Sequence, residues 1–214
     1  MDITNSKIEE YIQRLLSRHD EPVLLEMESE GKERHFPIVG RMVGVVLEIL
    51  ARSIGARRIF ELGSGYGYSA YWFARATGPG GEIHLTDGDL ENEKKALEYL
   101  GRAGLDGPVS FHVGEAVSTL EATPGEFDIV YNDIDKGDYP RAWRAARDRV
   151  RVGGLFISDN TLWSGRVTGA AEEDPRPEWT KAINEMNEAV ASDQDFLSTI
   201  LPIRDGVTVA LKLR

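Results

Sequence analysis

Five short runs rich in β-formers recur along the middle of the chain: Arg58–Leu62, Glu82–Thr86, Val109–Val113, Phe127–Asn132 and Gly154–Ser158. Parallel strands cannot be joined by a tight turn; they need a connection of about a dozen residues, usually a helix. The intervening segments supply it. The spacing predicts helices over Tyr68–Ala76, Leu90–Ala103 and Tyr139–Val150, with a shorter helical turn near Ala116–Leu120, each bounded by glycine or proline. This alternation restricts the chain to an α/β class: a doubly wound, mostly parallel sheet with helices on both faces.

Both ends depart from that rhythm. Ile8, Tyr11, Ile12, Leu15 and Leu16 recur at helical spacing within Met1–Leu16, and an apolar helix is expected from about Gly40 to Ile54, where Gly55 stops it. At the other end, a helix over Glu178–Ala191 is followed by Phe196–Ile203 and Val207–Leu213, separated only by Arg204, Asp205 and Gly206. That is hairpin spacing, so the mostly parallel sheet should close with an antiparallel edge strand, expected between strands five and six. The polar stretch Arg166–Glu178 is the candidate long loop, and the place to look for a lid.

A chain of 214 residues suits one domain, 1–214. With 25 Lys and Arg against 36 Asp and Glu, the net charge of −11 disfavours a nucleic-acid partner. The run Arg141, Arg144, Arg147, Arg149 and Arg151 reads as a solvated helix face. No cysteine is present, which excludes disulfides, thiolate metal sites and cysteine nucleophiles, and suits a reducing cytoplasmic setting. The N-terminal stretch lacks the basic patch and apolar run of a signal peptide. Met42–Ala51 is interrupted by Glu48 and falls short of the roughly 20 residues a membrane span needs, so no membrane association is expected.

Immediately after the first strand comes Glu61-Leu62-Gly63-Ser64-Gly65-Tyr66-Gly67-Tyr68-Ser69, a glycine-rich turn opening into a helix. Glycines there let backbone approach a ligand closely, as in Rossmann-like folds. The third glycine arrives one position too early for the dinucleotide fingerprint, and acidic Glu61 would repel a pyrophosphate but attract an ammonium or sulfonium group. This favours S-adenosylmethionine over NAD. Asp87, twenty residues beyond Gly67, ends the second strand, where a carboxylate can accept both ribose hydroxyl protons.

The fourth strand ends in Asn132-Asp133-Ile134-Asp135-Lys136 and the fifth in Ser158-Asp159-Asn160. In open parallel sheets the ligand crevice lies outside the carboxyl ends of the strands, so Asp133, Asp159 and Asn160 are expected to converge there. Two carboxylates and an amide, without histidine or cysteine, suit Mg²⁺ or Ca²⁺. Asp135 and Asp138 read as turn or cap residues. His19, His35, His84 and His112 show no ligand spacing and read as structural. Trp163 is placed to wall an aromatic acceptor or to pack in the core.

Glu61–Ser69, Phe127-Asp128, Asp133 through Lys136 to Tyr139, Gly153-Gly154, Asp159 through Val167 and Leu201 through Gly206 together resemble the cation-dependent O-methyltransferases, which include the catechol and caffeoyl-CoA enzymes. The resemblance extends in order from about Phe36 onward. It implies that Glu61, Gly63, Gly65 and Ser69 hold the methionine part of S-adenosylmethionine, with Asp133 nearby. Asp87 would hold the ribose, and Glu115 and Ala116 would border the adenine. It implies that Asp133, Asp159 and Asn160 bind the divalent cation and that Lys136 is the general base, its pKa lowered by desolvation. The N-terminal helices, 1–55, would pack on the sheet and border the acceptor, and the enzyme would be a homodimer. The acceptor implied is a small vicinal dihydroxy aromatic. Three departures concern the acceptor side: the Ser64-Gly65 pair is small, Asn132 replaces an apolar residue, and no acidic residue stands where mammalian catechol enzymes place one across the acceptor. The competing classes are an NAD-linked oxidoreductase and a non-catalytic cofactor-binding protein.

Overall fold

The computed structural model describes residues 5–214; of the expected first helix, Met1–Thr4 lie outside the described residues. Eight α-helices are described: α1 (Ser6–Leu15), α2 (Pro22–Glu33), α3 (Gly40–Ser53), α4 (Tyr68–Thr77), α5 (Leu90–Arg102), α6 (Ala116–Ala122), α7 (Tyr139–Ala146) and α8 (Pro177–Ser192). The strands are β1 (Arg58–Leu62), β2 (Glu82–Asp87), β3 (Val109–Val113), β4 (Phe127–Asn132), β5 (Val150–Ser158), β6 (Phe196–Leu201) and β7 (Val207–Lys212). They form one sheet in the order β3-β2-β1-β4-β5-β7-β6. The first five pair with one another in parallel, and β7 runs antiparallel to both β5 and β6. The hairpin strand β7 thus lies between β5 and β6, as expected, but it is interior and not an edge strand: pairing with β6 covers it, and β6 takes the edge.

Alternation along the strands sorts the core into two layers. Ile59, Ile83, Leu85, Ile129, Tyr131 and Ile157 face α3, α4 and α5, whereas Phe60, Leu62, Val130 and Phe156 face α6, α7 and α8. On the first face α3 meets α4 through Gly44, where any Cβ would collide with the fully buried indole of Trp72. Burying a side chain of that kind is worth about 2–3 kcal/mol, so this notch fixes how the N-terminal helices seat on the sheet.

The largest departures from the expected element boundaries lie at α7 and β5. The helix expected over Tyr139–Val150 ends at Ala146, and β5 starts at Val150, because Val150 pairs with Phe127 while a register shift and Gly153, at φ 77°, absorb the glycine pair that made the strand appear to begin at Gly154. Helix α2 was not anticipated: Leu24, Met27 and Gly31 are its only buried positions, three small signals among acidic residues. Nor is the arginine run a plain solvated face. Arg141, Arg144, Arg147 and Arg151 pair with Glu115, Glu185, Asp193 and Asp128, and Arg149 donates to the carbonyls of Leu120 and Gly125. No helix among the described residues is long and apolar enough to cross a membrane.

Candidate active site

Register brings the carboxyl ends of four strands level. Leu62 is opposite both Thr86 and Asn132, and Asn132 is opposite Ser158. The loops leaving these strands are tied to one another: Ser64 N–H donates to Thr86 C=O (2.8 Å), Asp133 N–H to Leu62 C=O (2.9 Å) and Asp159 N–H to Asn132 C=O (3.0 Å). Above them opens a cavity of about 1230 Å³, lined also by residues of α1, α2 and the start of α3, among them Gln13, Glu28 and Arg41, and by Phe36 between α2 and α3.

The glycine turn forms one wall. Gly63 has φ 82°, and a Cβ there would sit 2.6 Å from the Asp133 carbonyl oxygen and 2.9 Å from its carbon, both rigid backbone. Gly65, at φ 50°, would meet only the Phe36 ring, which can move. Gly63→Ala is therefore expected to destabilise the fold by about 3 kcal/mol, strain and overpacking combined, read as a lowered urea midpoint, with a smaller effect for Gly65→Ala. Gly65 N–H donates to Asp87 Oδ2 (3.1 Å), while Asp87 Oδ1 accepts from Asp89 N–H (2.9 Å) and Asn92 Nδ2 (3.0 Å), so this carboxylate is held rigidly at the cavity edge. Glu115 and Ala116 line the same cavity. Glu115 caps α6 through Val117 and Ser118 N–H and pairs with Arg141; burial opposes ionisation, but these donors hold its carboxyl down at about 2.

Glu61 is fully buried behind the glycine turn and does not itself line the cavity; Ser69, which does, donates its hydroxyl to Glu61 Oε1. Glu61 Oε2 has no partner. Burial pushes the Glu61 carboxyl up to about 8, with the negative charge of Asp133 adding to it against the Ser69 hydrogen bond. The group is poised to ionise when a cation arrives.

Asp133, Asp159 and Asn160 all line the cavity, as their positions at neighbouring strand ends predicted. Asp159 is only 4 % exposed, and its Oδ1 lacks any partner in the protein. Burial and then the charge of Asp133 push it up to about 7, and burial raises Asp133 too, against the pull of Lys136. Asn160 adopts φ 54°, a left-handed conformation that asparagine tolerates. Two repelling carboxylates with an orphaned buried oxygen, next to an amide, fit a hard divalent cation. Among the described residues no group of three or more His, Cys, Asp or Glu side chains is arranged for a metal.

Lys136 differs from expectation. Its Nζ donates to Asp133 Oδ1 (2.9 Å) and Ile134 C=O (3.3 Å) and lies 5.3 Å from the centre of the Tyr139 ring. Burial alone would lower its pKa, but Asp133 and Tyr139 more than offset that, and the ammonium is held above its ordinary range. Of the two readings of Trp163, packing against the core is the one the structure shows. Trp163 lines no part of the cavity and instead packs 5.6 Å from Trp179, in contact with the second core layer. The loop 166–178 contributes nothing to the cavity either. His84 and His112 bond to each other (3.0 Å) away from the site, as structural histidines should, while His35 borders the cavity.

Sequence reasoning missed Arg41, Arg204 and Asp205, which line the cavity. Arg41 is paired with Glu28 and Asp20 across the mouth, a wall dependent on α2, the helix not anticipated. Asp205 accepts from Ser164 N–H, and burial raises its pKa. The turn Arg204-Asp205-Gly206 carries hairpin spacing and part of the family resemblance, neither of which assigns its side chains to the cavity.

With this geometry in place, comparison with known proteins is decisive. Residues 16–213 match the O-methyltransferase family. This chain belongs to that family. It is 31 % identical over 181 residues to caffeoyl-CoA O-methyltransferase from Medicago sativa, covering 80 % of this chain and 73 % of the relative, and 32 % identical over 179 residues to the enzyme from Petroselinum crispum, covering 79 % and 74 %. Among solved structures, an O-methyltransferase from Streptomyces achromogenes involved in tomaymycin synthesis, in complex with S-adenosylmethionine, superposes with a TM-score of 0.85 at 28 % identity, covering 97 % of this chain and 96 % of that one. A methyltransferase from Geobacter sulfurreducens gives 0.85 at 27 % identity, covering all of both chains. The protein is an S-adenosylmethionine-dependent O-methyltransferase with a Rossmann-like fold. This displaces the NAD-linked and non-catalytic readings.

Proposed function

We propose that this O-methyltransferase transfers the methyl group of S-adenosylmethionine to one hydroxyl of a vicinal dihydroxy aromatic, with Mg²⁺ or Ca²⁺ held by Asp133, Asp159 and Asn160. The observation carrying the proposal is the unpartnered, buried Asp159 Oδ1 beside Asp133 at the cavity that the glycine turn and Asp87 also line. The cofactor's methionine end would lie along Gly63, Gly65 and Ser69, with Glu61 behind them, and its ribose at Asp87. The caffeoyl-CoA enzymes to which the chain is similar support an aromatic acceptor.

A divalent cation, when bound, would favour ionisation of a contacting hydroxyl and hold both adjacent oxygens in place. The residues do the rest. Lys136 lines the cavity with its Nζ held at Asp133 Oδ1, so we assign it, as an ammonium, to the acceptor oxygen as the hydrogen-bond donor that stabilises the phenolate, in place of the general-base role the resemblance implies. The phenolic proton leaves to solvent, the oxygen forms a bond to the methyl carbon as the carbon–sulfur bond breaks, and S-adenosylhomocysteine departs neutral at sulfur. Orientation is the chief contribution, up to roughly 7–11 kcal/mol in well-held systems. The reading extends to a cytoplasmic homodimer, supported by the family resemblance and by the cysteine-free composition.

Turnover of catechol or caffeate with Mg²⁺ is expected to fall at least about a hundredfold on adding EDTA, several kcal/mol of lost charge stabilisation, and to return when Mg²⁺ or Ca²⁺ is restored. Activity indifferent to chelation would remove the cation from the proposal.

A further inference from the structure

Arg204 stands out among the cavity's cations. It sits at φ 47° in the turn between β6 and β7, a left-handed conformation that costs energy for any side chain with a Cβ and branches beyond it. From there its Nη1 crosses to donate to the Ile38 carbonyl (3.0 Å), over Gly40, whose missing side chain leaves the room; a Cβ at Gly40 would collide with the guanidinium. Arg41 is matched by Asp20 and Glu28 and Lys136 by Asp133, while Lys32, unpaired among the described residues, is an exposed side chain of α2. Arg204 lines the same cavity and makes no contact ion pair among the described residues; its charge acts on Asp133 and Asp159 through space, which places the guanidinium facing that end of the cavity. One of its five N–H donors is spent on Ile38, which fixes the planar fork while leaving the rest for a ligand.

We propose that Arg204 is a specificity-determining residue that selects acceptors bearing an anionic ring substituent, a carboxylate, over neutral catechols. The inference rests on the methyl-transfer reading above. With the two hydroxyls at the Asp133–Asp159 end, a carboxylate on the opposite side of the ring would meet the guanidinium and form a bidentate, charge-assisted pair. The cofactor's own carboxylate is the other anion in the site. It belongs with the glycine turn, whereas Arg204 is braced against residues 38–40 on the other wall.

The test is steady-state kinetics with Mg²⁺ on 3,4-dihydroxybenzoate and on 4-methylcatechol, for the unsubstituted enzyme, Arg204→Gln and Arg204→Lys, with melting temperatures to confirm folding. Calorimetric binding of both acceptors in the presence of S-adenosylhomocysteine is measured in parallel. The ratio of kcat/KM for the carboxylate over the neutral acceptor is expected to fall at least about tenfold in Arg204→Gln, mainly through KM, and to be largely kept in Arg204→Lys; this is the scale of a charge-assisted hydrogen bond. An unchanged ratio, or an equal loss with both acceptors accompanied by a raised KM for S-adenosylmethionine, overturns the inference and leaves Arg204 as a brace for the 38–40 wall. If the unsubstituted enzyme neither binds nor methylates either catechol, the acceptor class itself is wrong and this inference goes with it.

Discussion

Asp159→Asn is expected to lower kcat/KM for a catechol by at least about a thousandfold, on the order of 4 kcal/mol of transition-state stabilisation, while leaving the affinity for S-adenosylhomocysteine within about threefold. The substitution keeps shape and hydrogen-bonding capacity but removes the buried charge that would face a divalent cation. Its effect on stability has the opposite sign. The Asp159 carboxyl is pushed up to about 7 by burial and by Asp133. An acid with a raised folded-state pKa costs stability as pH climbs from its unfolded value near 4 to its folded value, because the unfolded chain releases the proton first. Asp159→Asn should therefore match the parent protein near pH 4, gain on it between about 4 and 7, and melt higher at pH 8. A dead variant that is more stable than its parent cannot be explained by misfolding. If turnover survives, or if the variant melts lower at pH 8, the assignment of Asp159 is wrong.

The second large effect concerns Glu61 and the cofactor. With its carboxyl pushed up to about 8 by burial, Glu61 is largely neutral at pH 6, and binding a sulfonium and an ammonium just beyond the glycine turn should pull its proton off. Affinity for S-adenosylmethionine is thus expected to tighten as pH rises from about 6 to 8 and then level, with close to one proton released per cofactor bound near pH 7. Calorimetry in buffers of differing ionisation enthalpy reads that proton directly. Glu61→Gln should abolish the release and weaken binding at pH 8 by roughly 30- to 100-fold, the scale of a short-range charge interaction at intermediate dielectric. Proton uptake, or a pH-independent affinity in the parent protein, contradicts the assignment.

Much of this architecture was legible before any coordinates. Parallel connectivity follows from strand and helix lengths, and the position of β7 from the three residues of its turn. The ligand-bearing edge was also legible, since residues just past a strand end must lie on the same rim whenever the strands are parallel and in register. That is why Asp87, Asp133, Asp159 and Asn160 meet at one cavity. What failed depended on neighbours distant in sequence. Trp163 follows the proposed ligands closely, yet the left-handed conformations at Trp163 and Ser164 turn the chain away from the cavity and toward Trp179. Helix α2 carries too few buried residues to announce itself, so the wall it provides, with the Arg41 pairs across the mouth, was invisible.

The sequence alone determined the fold class, the order of the strands' chemistry and the rim on which it gathers, because these depend on period, length and local turns. Only the tertiary structure decided the ionisation of the site. Burial raises Glu61 and Asp159, a neighbouring carboxylate keeps Lys136 charged against its own desolvation, and Arg204 faces the cavity without a contact ion pair among the described residues, acting on Asp133 and Asp159 through space. Charge states answer to the distances and dielectric set by groups remote along the chain, and no local pattern of residues encodes those.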